Sequence, residues 1–267
     1  MTINIAIGGK IASFYDSSKI NVFVNPVKAI ILSAGQGRRL LPLTENLPKC
    51  LLPVVDKPVL AWQIDALSAA GVKEIIIVAG FQISQIEALL HAHYAKQSNI
   101  KVVFNPFYEV ADNLASCWLA RDAMDGDFLL LNGDTVIEPA LVTQVLNSPS
   151  APITLSVDFK KSYDADDMKV QLDANGWVRQ VSKIVPPDEI DAESIGLVYF
   201  RDHGPLLFRQ AIESALRHPA ELRSWYLSII DKLAGQHQVN SCSVKGFRWC
   251  EIDFIEDLAR AGMLFTR

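Results

Sequence analysis

The first half of the chain is dominated by strand-length apolar runs that alternate with segments of helical periodicity. The apolar runs are residues 29–32, 74–79, 100–104 and 128–131. The helical segments between them are residues 58–70, 83–93 and 114–124. Because each run is apolar at successive positions, we expect strands that are buried on both faces. This alternation predicts a parallel sheet covered by helices on both sides.

The second half has shorter, more polar strands and a hairpin signal. Strands are predicted at residues 153–157, 168–172, 177–181, 196–200 and 238–243. Asp173 to Gly176 is a plausible turn between two of them. Helices are predicted at residues 206–217, 225–234 and 255–263. We therefore predict an α/β fold, a three-layer Rossmann-like mixed sheet that is mostly parallel in its N-terminal half and mixed in its C-terminal half.

Length and charge exclude several classes of protein. The chain has 267 residues, half of them hydrophobic, which suits one large domain. A net charge of −5 argues against nucleic-acid binding, which needs clustered cations. No apolar run approaches the roughly 20 residues of a membrane span. Without a secretion signal near the start, we expect a cytoplasmic protein with no membrane partner.

The main pattern begins at residue 27, so residues 1–26 are interpreted as an extension to a domain of residues 27–267. Short strands are predicted at residues 3–7 and 21–24. The extension suits an edge hairpin, an arm that contacts a second subunit of a homodimer, or a weakly packed leader. The sequence does not choose among the three.

A glycine-containing loop follows the first predicted strand. Gly35 and Gly37 are followed by Arg38 and Arg39, and Lys49 comes ten residues later. Glycine lets backbone N–H groups approach an anion, and arginine adds bidentate phosphate contacts. The loop is neither a Walker A motif nor a GxGxxG dinucleotide motif. Phosphate binding and an ordinary strand–helix turn with surface arginines both remain open.

Polar residues follow each of the other strands of the predicted parallel sheet. These residues are Gly80 and Gln82, Asn105, and Asp134. Ligands of such sheets bind beyond the carboxyl ends of the strands, so we expect one pocket there. A carboxylate at the end of a buried strand favours a cation, and near Arg39 that cation would be Mg²⁺ on a polyphosphate. Asp253 is either a second metal ligand or the N-cap of the last helix.

Residues 28–54 resemble the opening of the nucleoside-triphosphate transferase family. The family pattern is approximately KAIILAAGxGxRLxPLTxxxPKxLLPV, and Ser33 replaces the commoner alanine here. The resemblance extends from residue 27 to the C-terminus and implies the GT-A-like nucleotidyltransferase fold. It also implies transfer of a nucleotidyl group from a nucleoside triphosphate to a phosphorylated acceptor, with release of pyrophosphate.

The resemblance implies roles for particular residues. Arg39 and Lys49 would act on the triphosphate, Lys49 at the α-phosphate, while Asp134 and Asp253 would hold Mg²⁺. The nucleotide-binding positions would be Leu32, Ala34, Gly35, Gly37, Gly80, Gln82, Asn113 and Ser116.

Two further segments indicate the branch of the family. Residues 112–116 (DNLAS) and the closing residues 249–258 (WCEIDFIEDL) resemble choline-phosphate, inositol-phosphate and phosphonate cytidylyltransferases. This favours CTP with a small phosphorylated alcohol or phosphonate. A sugar-1-phosphate enzyme using UTP or dTTP is the nearest alternative, and a non-catalytic nucleotide-sensing subunit is a remote one.

The acceptor pocket is expected in the second half of the chain. The candidate residues are Lys169, Lys183, Glu193 and Trp225. Either lysine would meet the acceptor phosphate, and Trp225 would face a quaternary ammonium through a cation–π contact. The competing interpretation makes Trp225 a core residue of an amphipathic helix. The acidic stretch at residues 164–167 is interpreted as a solvated turn.

Overall fold

The computed structural model describes residues 26–266. The strands predicted at residues 3–7 and 21–24 therefore lie outside the described residues. No helix in residues 26–266 is long and apolar enough to cross a membrane.

The described chain alternates strands and helices in the order that the apolar runs predict. The strands are β1 (Lys28–Ser33), β2 (Pro53–Val54), β3 (Lys57–Pro58), β4 (Glu74–Ala79), β5 (Ile100–Phe104), β6 (Phe128–Asn132), β7 (Thr135–Ile137), β8 (Ile153–Asp158), β9 (Lys169–Leu172), β10 (Val178–Ser182), β11 (Ala192–Phe200), β12 (Val239–Ser243) and β13 (Trp249–Glu251). The helices are α1 (Val59–Ala69), α2 (Ile83–Tyr94), α3 (Asn113–Leu119), α4 (Pro139–Leu146), α5 (Gly204–Leu216), α6 (Tyr226–Ala234) and α7 (Ile255–Phe265).

A nine-stranded mixed sheet forms the centre of the molecule. Its main path runs β10-β9-β11-β6-β1-β4-β5. Outside this path, β8 pairs with β11, and β12 pairs with β8. The pairs β6–β1, β1–β4 and β4–β5 are parallel, whereas β11 pairs antiparallel with β6, β8 and β9. The predicted fold class, parallel in the first half and mixed in the second, is confirmed.

Each central strand contributes apolar side chains to two hydrophobic cores, one on either face of the sheet. In β1, Ile30 packs with α3, α5 and α6, whereas Ala29 and Ile31 pack with α1, α2 and α4. Successive side chains of a strand point to opposite faces, so only a continuous apolar run satisfies both cores.

A third, smaller core lies at one edge of the molecule and brings the end of the chain back to the sheet. It contains Val136 of β7, Cys250 of β13, and Ala261 and Phe265 of α7. β7 pairs antiparallel with β13, with Glu251 opposite Thr135. This small two-stranded sheet places the C-terminal residues of the chain beside the end of β6.

Some predicted element boundaries differ from the observed ones. The helix predicted at residues 114–124 ends at Leu119, and a 3₁₀ turn, Arg121–Ala123, follows it. α4 was not predicted, because its eight residues present only a short apolar stripe. The strand predicted at residues 196–200 begins at Ala192. α6 begins at Tyr226, which leaves Trp225 just before the helix.

Candidate active site

A cleft opens beyond the carboxyl ends of β1, β5 and β6. Parallel strands end at the same edge of a sheet, and the backbone ties the following loops together. Phe81 N donates to Ala34 O at 2.9 Å, and Gly133 N donates to Leu32 O at 3.0 Å. Lys49 and Asp134 line the cleft together with six of the eight predicted nucleotide-binding residues, namely Leu32, Ala34, Gly35, Gly37, Asn113 and Ser116.

Gly37 allows the loop after β1 to contact the side chain of Lys49. Its φ angle is +80°, in the left-handed region that favours glycine. A Cβ atom at this position would lie 2.8 Å from Lys49 Cβ. Thr44 Oγ1 donates to Gly37 O at 2.8 Å and holds the loop against the following segment. A side chain at position 37 would therefore displace the side chain of Lys49.

Replacing Gly37 by alanine should move Lys49 and reduce turnover about 10- to 100-fold, because small displacements of reacting groups are costly. Pyrophosphate release would measure this. Gly71→Ala is the matched control, since Gly71 has a φ of +88° but nothing within 4 Å of its added Cβ. An equal loss in both variants would mean that backbone strain alone is responsible.

Lys49 lies between two of the carboxylates that the sequence analysis assigned to a metal. Its Nζ is 2.7 Å from Asp134 Oδ2 and 2.6 Å from Asp253 Oδ1. Burial disfavours the charged ammonium, but the two carboxylates outweigh it and raise the pKa of Lys49 well above its usual value. The lysine therefore stays protonated, and its positive charge is held at the bottom of the cleft.

Glu251 is a third carboxylate of this cluster. One oxygen from each of Asp134, Glu251 and Asp253 lies within 4.8 Å of the others. Pairing of β7 with β13 brings them together, and Ile252 N donates to Asp134 O at 3.0 Å. Burial, reinforced by the negative charges of Asp134 and Asp253, raises the pKa of Glu251 to about 8.

The carboxylate cluster suits a divalent cation. Hard cations such as Mg²⁺ prefer carboxylate oxygens, and Asp134 Oδ1 is buried with no hydrogen-bond partner. The cluster contains three carboxylates, and Lys49 brings one positive charge to it. The sequence analysis did not assign Glu251 a role. Its signal was its spacing of two residues from Asp253, which puts both carboxylates on the same side of an extended chain.

The interpretation of Asp253 as the N-cap of the last helix is wrong. α7 begins at Ile255, and the carboxylate at its start is Asp257. Asp257 Oδ2 accepts hydrogen bonds from the backbone N–H groups of Asp253 and Phe254, both at 2.8 Å. The carboxylate of Asp253 is therefore available to the cleft, and Asp257 holds its backbone in place.

Replacing Asp257 by alanine should lower the free energy of unfolding by about 0.5–2 kcal/mol, the usual cost of losing a helix cap. Affinity for Mn²⁺ should fall as well, because the turn that carries Asp253 loses two hydrogen bonds. Urea unfolding and calorimetry would measure the two effects. Glu256→Ala, at an exposed position in the same helical turn, should change neither, and an equal effect there would contradict this role for Asp257.

A second hollow adjoins the cleft, and Asn113, Asp134 and Trp225 line both. Three of the four predicted acceptor residues, Lys183, Glu193 and Trp225, line this second hollow. Lys169 does not, because its ammonium donates to the backbone carbonyls of residues 164, 165 and 167. The core interpretation of Trp225 is wrong, since its side chain is 42% exposed.

Arg39 lies in the second hollow. Its Nη1 is 3.1 Å from Asp253 Oδ2 and 3.3 Å from Asp166 Oδ2. The turn at residues 164–167, predicted to be solvated, therefore contacts the site through Asp166. Asp166 also pairs with Lys183 at 3.2 Å. The hydrogen bond from Lys183 is the main cause of the lowered pKa of Asp166.

Two predicted nucleotide-binding residues do not line the cleft. Gly80 is buried beneath Tyr108, and an added Cβ there would lie 2.7 Å from Tyr108 Cβ. Gln82 is exposed and precedes α2. The structure places Tyr108 in the cleft instead, beside the buried Asn105. No pattern in the sequence singled out Tyr108, which lies in a loop.

Comparison with known proteins agrees with this geometry. The family model described as nucleotidyl transferase matches residues 28–266. The chain is 29% identical over 252 residues to CMP-5'-(3-aminopropyl)phosphonate synthase of Streptomyces rubellomurinus, covering 90% of this chain but 39% of that protein. It is 26% identical over 262 residues to CTP:phosphoglutamine cytidylyltransferase of Campylobacter jejuni, covering 87% and 98% of the two chains.

A solved structure shares the fold. The CTP:phosphocholine cytidylyltransferase of Streptococcus pneumoniae superposes with a TM-score of 0.74 at 21% identity, covering 90% of this chain and 100% of that one. At that identity the likeness shows the fold alone. The match to the family model covers nearly all of the described residues, however. The chain therefore belongs to the nucleotidyl transferase family and is similar to its phosphonate and phosphocholine cytidylyltransferases.

Proposed function

We propose that the chain transfers a cytidylyl group from CTP to a small phosphorylated alcohol or phosphonate, with release of pyrophosphate and with Mg²⁺ as cofactor. The observation that carries this proposal is the position of Lys49 and the carboxylate cluster at the junction of two hollows. One hollow contains the glycine loop suited to a triphosphate, and the other suits the acceptor. The proposal keeps the cytoplasmic location expected from the sequence.

In-line transfer needs positioning and charge neutralisation rather than a covalent protein nucleophile. Backbone N–H groups at Gly35 and Gly37 would bind the triphosphate, with Arg39 turning from its carboxylate partners toward it. Lys49 would neutralise the α-phosphate. An oxygen of the acceptor attacks the α-phosphorus, the bond from that phosphorus to the bridging oxygen breaks, and pyrophosphate leaves with the electron pair.

Asp134, Glu251 and Asp253 would hold the metal ion. Mg²⁺ bound by these residues supplies positive charge to the phosphate oxygens, which lowers the cost of bringing two anions together. The buried Asp134 Oδ1 without a partner supports this assignment. Asp134 lines both hollows, so a metal ion held there would lie between the nucleotide and the acceptor.

The names of the relatives support the choice of nucleotide and acceptor. They refer to CTP or CMP together with a phosphonate, phosphoglutamine or phosphocholine. The test below also distinguishes two alternatives, a sugar-1-phosphate enzyme that uses UTP or dTTP and a nucleotide-sensing subunit.

Pyrophosphate release should be measured with four nucleoside triphosphates against phosphorylated alcohols, phosphonates and hexose-1-phosphates, with and without Mg²⁺. We expect turnover with CTP and an alcohol phosphate or phosphonate, dependent on Mg²⁺. Turnover confined to UTP or dTTP with a hexose-1-phosphate would overturn the cytidylyl assignment. Mg²⁺-dependent nucleotide binding without turnover on any pair would favour the sensor.

A further inference from the structure

The second hollow is lined by three times as many carboxylates as cationic side chains. Two cationic side chains line it, Arg39 and Lys183. The carboxylates that line it are Asp134, Asp166, Asp167, Glu193, Glu251 and Asp253. Both cationic side chains are already paired with carboxylates of the hollow, Arg39 with Asp166 and Asp253 and Lys183 with Asp166. A phosphate or phosphonate that carries only negative charge would therefore have to compete with these carboxylates for positive charge.

An ammonium group of the protein itself lies on the exposed ring of this hollow. Lys183 Nζ is 4.6 Å from the centroid of Trp225, at the distance of a cation–π contact. The same Nζ lies 3.2 Å from Asp166 Oδ1. The backbone next to Trp225 is anchored, because Tyr226 N donates to Asn113 Oδ1 at 2.9 Å. Trp225 and Asp166 thus form a site that already holds a cation.

Glu193 provides a second, independent observation in this hollow. Its side chain is 4% exposed and lines the hollow, and Lys160 pairs with Oε2 at 2.6 Å. The other oxygen, Oε1, is buried with no hydrogen-bond partner. A buried carboxylate oxygen is costly unless a donor or a cation reaches it.

We propose that the acceptor carries a cationic nitrogen, bound between Trp225, Asp166 and Glu193 in the place that Lys183 occupies in this structure. The incoming cation displaces the ammonium of Lys183, which then reaches the negatively charged phosphate or phosphonate of the acceptor. Charge in the hollow is balanced at both ends of such a molecule. This inference rests on the proposed function and narrows its acceptors to zwitterionic ones.

Matched acceptors that differ only in charge test the inference. Phosphocholine is compared with 3,3-dimethylbutyl phosphate, its carbon isostere, and 3-aminopropylphosphonate with butylphosphonate. With CTP and Mg²⁺, we expect kcat/KM to be at least about 10-fold higher for the cationic member of a pair. Equal kcat/KM values within both pairs would overturn the inference while leaving the proposed function intact.

Variants separate the cation site from general damage. Trp225→Leu should raise the KM of the cationic acceptor about 2- to 30-fold more than it raises the KM of the neutral isostere, the range expected for one cation–π contact. Trp118→Leu is the matched control, because Trp118 forms a cation–π pair with Arg121 and does not line this hollow. Equal effects of Trp225→Leu on both members of a pair would count against the inference.

A binding measurement tests the cation site even if the proposed reaction does not occur. If no acceptor releases pyrophosphate, calorimetry with CTP present still compares phosphocholine with 3,3-dimethylbutyl phosphate. Tighter binding of the cation, lost in Trp225→Leu and weakened in Glu193→Gln, supports the site without the reaction. Indistinguishable binding of the two compounds contradicts the site.

Discussion

Replacing Lys49 by methionine is expected to reduce kcat about 100- to 1000-fold or more, because the variant lacks the charge proposed to neutralise the α-phosphate. Methionine keeps a similar unbranched side chain, so the contact with Gly37 remains. Pyrophosphate release measures the loss, and circular dichroism checks the fold. Lys57→Met is the matched control, since Lys57 pairs with Asp65 outside both hollows.

The same variant should bind free metal more tightly. In the structure, the ammonium of Lys49 pairs with two of the three carboxylates that would hold the cation. Without it, calorimetric titration with Mn²⁺ should give a lower Kd than in the unaltered protein, even as turnover falls. Turnover near that of the unaltered protein would remove Lys49 from the mechanism, and unchanged Mn²⁺ affinity would show that the lysine does not compete with the metal.

Replacing Asp134 by asparagine should reduce turnover about 100-fold or more and weaken Mn²⁺ binding, because the metal loses a charged ligand. The change preserves shape, and the hydrogen bond from Ile252 N to the backbone oxygen of residue 134 remains. The fold should therefore persist. Activity should be measured over a range of Mg²⁺ concentrations, with metal affinity determined separately.

Asp125→Asn is the matched control for Asp134→Asn. Asp125 pairs with Lys28 at the start of β1, at the opposite end of that strand from the cleft. Its replacement should leave metal affinity and turnover unchanged. If Asp134→Asn retains both properties as well, the metal assignment of the carboxylate cluster is contradicted.

Most of the cleft was predictable because its parts lie at the ends of predictable strands. Once β1 and β6 are parallel neighbours, Gly35, Gly37 and Asp134 must lie at one edge of the sheet. The glycine loop is local in sequence, and its chemistry is visible in the residue types. Lys49 was predicted to join the same site through the family pattern, and it lines the cleft.

The differences from the sequence prediction have local causes at some residues and distant causes at others. Trp225 has helical spacing with its neighbours, yet the helix begins one residue later and exposes it. The sequence suggests that Lys169 is available to bind a ligand. In the structure, its ammonium donates to backbone carbonyls of the turn before β9. Glu251 joins the carboxylate cluster only because β13 pairs with β7.

By itself, the sequence determined the layers of the fold, the family and the end of the cleft that the glycine loop lines. These depend on burial periodicity and on glycine geometry, which act over a few residues. Only the tertiary structure decided which carboxylates surround Lys49, since Asp253 lies 204 positions away in the chain. Contacts at such separations result from the packing of the whole chain, and no local pattern in the sequence encodes them.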